Sequence, residues 1–219
     1  MRERTPSSAD ALLTRRTLST PRSGDPASLD FISLMHSRGN YKLENAAKAF
    51  HYDFHGKTVL DIGSSTGGFT EYALCHGAEK VIAVEKGTKQ MKAPLRFDER
   101  IELHEKTDIF NFVPEDSKRG IDTVLADVSF ISLTKVLLYA KENLVGKNTD
   151  FLVMLKPQFE AEPWQLNKGV VKNEKMRREI IKKFEGFLKK NHFLVINKRD
   201  NILAGKNGNV ERFYWLKIA

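Results

Sequence analysis

Only one cysteine, Cys75, stands among the 219 residues. No disulfide can form within the chain, and a reducing compartment suits it. No apolar run approaches the ~20 residues that cross a bilayer as a helix, and the first residues lack the apolar stretch of a secretory signal. The six histidines show no metal-ligand spacing with Cys75, which disfavours a zinc centre. Cys75 itself falls in an apolar helical pattern and reads as a core thiol rather than a nucleophile. Lysine is missing from residues 1–30, which are rich in Ser, Thr, Pro and Arg and show little periodicity. They read as a flexible tail ahead of one domain over 31–219, and Glu3, Asp10 and Asp25 argue against a transit peptide. No segment repeats. The expectation is a soluble, cytoplasmic protein.

Charge of one sign is in excess. The chain carries 36 Lys and Arg against 28 Asp and Glu, a net +8. Five Arg against four acids leave the tail only +1, so the remaining 31 bases and 24 acids give the body +7. The basic excess belongs to the folded part and favours a polyanionic partner, nucleic acid before an anionic membrane. The run "KMRREIIKK" (175–183) is the densest basic stretch and a candidate contact for a phosphate backbone.

Apolar patterns alternate between strand and helix. Strands are expected at "KTVLDIG" (57–63), "KVIAVEK" (80–86), "IELHEK" (101–106), "IDTVLADVSF" (121–130) and "DFLVMLK" (150–156). Helices are expected at "YKLENAAKAF" (41–50), "GFTEYALCHG" (68–77), "LTKVLLYAKENL" (133–144) and "EKMRREIIKKFEGFLKKN" (174–191). This alternation predicts an α/β fold with a mostly parallel, doubly wound sheet. The last two strands, "FLVINKRD" (193–200) and "VERFYWLKIA" (210–219), have no helix between them and predict an antiparallel hairpin at one edge. Ligands of such sheets sit beyond the carboxyl ends of the strands. There the sequence places five ionisable residues: Asp61, Glu85, Asp108, Asp127 and Lys156.

The turn "DIGSSTGGF" (61–69) joins a strand to a helix, and Gly63, Gly67 and Gly68 let its backbone approach a ligand. Its G-x-x-x-G-G spacing departs from the dinucleotide fingerprint, which disfavours NAD. Glu85 ends the next strand and could accept hydrogen bonds from both hydroxyls of a ribose. Asp108, past the third strand, could accept from an adenine amino group. An adenosine held without a pyrophosphate suggests S-adenosyl-L-methionine. In "FLVMLKPQFE" (151–160) five apolar residues run into Lys156, and Pro157 ends the strand by removing a backbone donor. That proline predicts a place at a sheet edge. The ammonium needs water, a counter-charge or a reason to lose its proton.

Six segments together resemble one family: "SRGNYKLENAAKAF" (37–50), "LDIGSSTGGFT" (60–70), "ADVSFISL" (126–133), "KPQFE" (156–160), "KGVV" (168–171) and "GNVE" (208–211). They look like the hemolysin A (TlyA) type of RNA methyltransferase, in the FtsJ-like branch of ribose 2'-O-methyltransferases. The resemblance implies a Rossmann-like class I methyltransferase and a K-D-K-E catalytic set falling on Lys42, Asp127, Lys156 and Glu211. It carries cofactor positions to Asp61, Gly63, Ser65, Gly67, Gly68 and Phe69, with Glu85 and Asp108 as above. It implies RNA, ribosomal RNA in particular, as the partner. Two features depart from the family pattern: Asn40 stands where glycine is usual, and residues 1–30 show no S4-type RNA-binding domain. A second reading is an RNA-binding ribosome-assembly factor with a vestigial methyltransferase fold. Single residues also admit duller roles: a turn cap for Asp127 and a hairpin ion pair of Glu211 with Lys198 or Lys217.

Overall fold

Val59, Leu60 and Ile62 are all buried, as expected of a strand covered on both faces. This strand, β1 (Thr58–Ile62), has parallel neighbours on both sides. A computed structural model describes residues 37–114, 120–205 and 208–219; the expectations for the tail and for residues 31–36 lie outside the described residues.

The sheet also contains β2 (Lys80–Val84), β3 (Ile101–His104), β4 (Thr123–Ala126), β5 (Asp150–Leu155), β8 (Phe193–Asp200) and β9 (Arg212–Ile218), in the order β3-β2-β1-β4-β5-β9-β8. The first five pair in parallel. β9 runs antiparallel to both β5 and β8, so the expected hairpin closes one edge with β8 outermost. Between β5 and β8 lies a two-stranded hairpin, β6 (Leu166–Asn167) and β7 (Val170–Val171), that periodicity did not announce. Two-residue strands are too short to show alternation.

Two apolar layers sandwich the sheet. On one face Leu60, Ile62, Val153 and Leu155 pack beneath Val136 and Leu137 of α3 (Leu133–Tyr139) and Ile181 and Phe184 of α5 (Glu174–Lys190). On the other, Val59, Leu125 and Met154 pack beneath Leu43 and Ala47 of α1 (Arg38–Phe50) and Phe69 and Ala73 of α2 (Gly68–Cys75). A further short helix, α4 (Pro157–Glu160), follows β5 directly. α1 begins earlier than its apolar spacing showed, because the Ser37 hydroxyl accepts the Asn40 N–H at 3.2 Å and caps it.

Two expectations are corrected. Lys156 is not at a sheet edge, since β5 is an interior strand between β4 and β9. Pro157 lies beyond Leu155, the last paired residue, so its missing N–H removes nothing from the ladder. Cys75 is exposed rather than core. It is the last residue of α2, whose buried face runs through Phe69, Tyr72 and Ala73.

Candidate active site

The register of β5 on β9 builds the site. Leu155 pairs with Arg212, so one step further Lys156 stands opposite Glu211. Asp127 follows β4 on the other flank of β5. Lys156 Nζ lies 2.6 Å from Asp127 Oδ1 and donates to Ser129 Oγ at 2.8 Å. Glu211 Oε2 receives Lys42 Nζ at 2.6 Å, and α1 carries this second lysine across the sheet face. Lys42 and Glu211 are both buried, so removal of either leaves an uncompensated charge away from water. Asn201, also buried, turns its amide towards Glu211 Oε2 at 3.5 Å and donates its backbone N–H to the Glu211 carbonyl at 2.8 Å.

All four residues implied by the resemblance therefore meet as two ion pairs at adjacent strand ends. The duller partners of Glu211 are occupied elsewhere. Lys198 pairs with Glu185 at 2.7 Å and Lys217 with Asp150 at 3.5 Å.

The glycine turn lies beside these pairs. Gly63 has φ +81, and a Cβ there would stand 3.1 Å from the Asp127 carbonyl oxygen. The turn therefore packs directly against the segment that carries Asp127. Gly67 has φ +89, a conformation that favours glycine, and a Cβ there would also displace the tip of the Leu95 side chain, 2.3 Å away. Gly68 also has a packing task. A Cβ on it would meet Ser37 Oγ at 2.3 Å and the Asn40 backbone nitrogen at 2.8 Å. Its bare backbone seats the start of α1, the helix that delivers Lys42.

Ser65, at φ +48, donates its N–H to Glu85 Oε2 at 2.9 Å, while Glu85 Oε1 accepts from the Gly87 N–H at 2.6 Å. Asp108 accepts from Lys86 Nζ at 2.9 Å and from the Phe110 N–H at 3.1 Å. These contacts, the lysine first, hold its carboxyl below the ordinary range. Asp61 is fully buried and takes a 2.6 Å hydrogen bond from the Thr70 hydroxyl on Oδ2. Burial pushes its pKa up to about 7 against the Thr70 hydrogen bond, with repulsion from Asp127 and Glu85 adding to the rise. Asp61 Oδ1 and Ser64 Oγ are buried without a hydrogen-bond partner among the described residues. Phe69 points into the core, its ring 5.9 Å from that of Phe213.

Three features were missed in the sequence. Ser129 and Asn201 each touch the ion pairs, yet single polar residues in loops carry no pattern of their own. Phe130 is 89% exposed and adopts φ +65, a conformation bulky residues avoid. Its ring lies 5.2 Å from that of Phe159, which in turn lies 5.9 Å from Lys156 Nζ. Hydrophobic patterning reads phenylalanine as core and could not foresee an exposed Phe130 against a half-buried Phe159. The basic helix is also corrected in part. Arg177 is buried and bonds Asp200 at 2.6 Å and the Val210 carbonyl at 3.2 Å, so it is unavailable to a phosphate, unlike exposed Arg178 and Lys182. Among the described residues no His, Cys, Asp and Glu cluster suits a metal, and no helix is long and apolar enough to cross a membrane.

Residues 35–218 match the model of the FtsJ-like methyltransferase family. The chain belongs to the FtsJ-like methyltransferases. It is 37% identical over 194 residues to the 23S rRNA (cytidine-2'-O)-methyltransferase TlyA of Campylobacter jejuni, covering 87% of this chain and 74% of that one. It is 36% identical to YqxC of Bacillus subtilis over 80% of its length, and spans 63% of YqxC. A solved Lactococcus lactis structure that bears the hemolysin name superposes with a TM-score of 0.77 at 38% identity, covering 83% of this chain and 87% of that one. In this FtsJ-like chain the glycine turn and the two ion pairs lie side by side at the strand ends.

Proposed function

We propose that this chain is an S-adenosyl-L-methionine-dependent 2'-O-ribose methyltransferase acting in the cytoplasm on structured, ribosomal RNA. The observation that carries the reading is the convergence of Lys42–Glu211 and Lys156–Asp127 at adjacent strand ends beside the glycine turn. The cofactor fits this turn on the chain's own evidence. Asp61 Oδ1 and Ser64 Oγ are buried polar atoms with no hydrogen-bond partner among the described residues, and such atoms are costly unless a ligand or water meets them. Glu85 would hold the ribose hydroxyls and Asp108 the adenine amino group. Glu85 already accepts three hydrogen bonds, the one from Gln90 Nε2 long at 3.5 Å, and Asp108 two, while an ionised carboxylate has about four lone-pair sites. When bound, S-adenosyl-L-methionine supplies an electrophilic methyl group on a sulfonium.

The rest of the chemistry belongs to the acceptor. A ribose hydroxyl is a poor nucleophile and needs alignment and a path for its proton. Lys156, held by Asp127 and Ser129, is placed to accept or steer that proton. Lys42 and Glu211 brace the other flank and set a fixed charge pattern beside it. The exposed Phe130 face suits an unstacked base, as aromatic rings do in single-stranded RNA recognition.

The test is incubation with methyl-labelled S-adenosyl-L-methionine and isolated ribosomal subunits, followed by alkaline hydrolysis of the RNA. Label should remain in alkali-resistant dinucleotides, because a methylated 2'-oxygen cannot attack its phosphate. RNA binding without any transfer would instead favour the assembly-factor reading.

A further inference from the structure

Glu160 is a half-buried carboxylate that closes the "KPQFE" segment and takes no part in the two ion pairs. Its Oε1 accepts the Leu133 N–H at 2.5 Å and its Oε2 the Ser132 hydroxyl at 2.7 Å. We infer that Glu160 is a positioning residue for methyl transfer: by capping α3 from a separate segment, it clamps the loop that carries Asp127 and Ser129 against Lys156. This role presupposes the methyl transfer proposed above.

The loop needs a clamp. Asp127 donates its N–H to the Ile62 carbonyl at 3.2 Å, and beyond it the chain leaves the sheet. Val128 is buried, but Ser129 and Phe130 are exposed, and Phe130 holds φ +65. Such a backbone conformation persists only where its surroundings over-determine it. Residues 127–133 and 156–160 meet at three levels. Lys156 Nζ reaches Asp127 Oδ1 at 2.6 Å and Ser129 Oγ at 2.8 Å. The Phe130 ring lies 5.2 Å from that of Phe159. Glu160 closes the far end on Ser132 and Leu133, and so fixes how the other two levels align.

The hydrogen bonds of the clamp run in one direction. Ser132 stands at the N-cap of α3, yet its side chain makes no capping bond, so the first turn needs an acceptor from elsewhere. Glu160 supplies it. An ionised carboxylate only accepts, so the Ser132 proton points to Oε2 and the Thr134 hydroxyl, 2.6 Å away, donates to Ser132 Oγ. Burial raises the Glu160 pKa against these hydrogen bonds, so the position gives charge itself no advantage. Glutamine keeps both contacts: Oε1 accepts from Leu133, and Nε2 donates to Ser132, whose proton then turns to Thr134. Alanine keeps neither.

The experiment measures methyl transfer to ribosomal subunits by Glu160→Ala, Glu160→Gln and Ser132→Ala, together with amide NMR of the same full chains without substrate. For Glu160→Ala, kcat should fall about tenfold to a hundredfold, as misplacement of reacting groups by a distant change does, with KM for S-adenosyl-L-methionine unchanged. Glu160→Gln should recover most of that rate. Adding Glu160→Ala to Ser129→Ala should cost less than adding it to the parent, because both changes loosen one grip on Lys156. In the NMR spectra of Glu160→Ala, the Leu133 amide should lose protection from hydrogen exchange and the Ser129 and Phe130 amides should shift; Glu160→Gln should restore all three. Parental kcat in a folded Glu160→Ala chain, a glutamine variant as impaired as the alanine one, or unmoved Ser129 and Phe130 amides would overturn the proposal. If Glu160→Ala does not fold, Ser132→Ala, which removes one of the two bonds, decides by the same readouts. A parent chain that never methylates RNA would refute the proposed function, and the amide shifts would still decide the clamp.

Discussion

At Lys156 a strand that is otherwise wholly buried ends in an ammonium whose counter-charge, Asp127, comes from the neighbouring strand end. Lys156→Ala should abolish methyl transfer while S-adenosyl-L-methionine binding, followed by calorimetry, stays nearly unchanged, because the proposed function assigns Lys156 to the acceptor and not to the cofactor. Lys156→Arg should fail as well, since a guanidinium keeps its proton near neutral pH. A folded Lys156→Ala protein that methylates at close to the parental rate would return this lysine to a structural role. Asp61 gives a second test. Its folded pKa, about 7, lies above the unfolded value near 3.8, so between those two values the folded state holds a proton that the unfolded state has released. Stability therefore falls as pH rises from about 4 to about 7, by up to about 1.4 kcal/mol per pH unit from this group. Asp61→Asn should flatten that decline in urea unfolding across the range; an unaltered slope would mean Asp61 titrates normally.

Among the elements, the contact of α1 with the glycine turn decides whether the second ion pair exists. Gly68→Ala puts a methyl where Ser37 Oγ and the Asn40 nitrogen already stand. Overpacking of this kind costs typically ~1–3 kcal/mol, and relief requires α1 to retreat and draw Lys42 from Glu211. Loss of stability by denaturant titration should accompany loss of transfer. Gly186→Ala is the control, because a Cβ there meets nothing within 4 Å and alanine favours a helix interior. If both variants behaved alike, the seating of α1 would not be what Gly68 provides. The hairpin β8–β9 is braced in the same indirect way: Asp200 takes Arg177 and Arg212 at 2.6 Å each. Burial alone would raise the Asp200 pKa, but the two guanidiniums hold it below the ordinary carboxylate range.

Over the whole molecule, the net charge of +8 should appear as a steep fall in RNA affinity with salt, its slope following the number of phosphate contacts. Reversing Arg178, Lys182 and Lys183 on the outer face of α5 should weaken binding across unrelated RNAs and reduce that slope, measured by filter binding at several salt concentrations. An affinity indifferent to salt would remove the electrostatic argument. Much was legible beforehand. The strand–helix alternation, the turn after β1, the strand-end carboxylates and Lys156 are local signals, because periodicity and turn chemistry are written in neighbouring residues. The pairing of Lys42 with Glu211, 169 positions apart, is a long-range matter. So are the interior place of β5, the exposure of Phe130 and Cys75, and the burial of Arg177. Each depends on which strands become neighbours and which helix face turns inward, and sheet order is decided only when the chain packs. The sequence by itself determined the kinds of element and the chemistry at their ends; the tertiary structure decided which of those ends meet, because contact free energy is summed over partners distant in the chain.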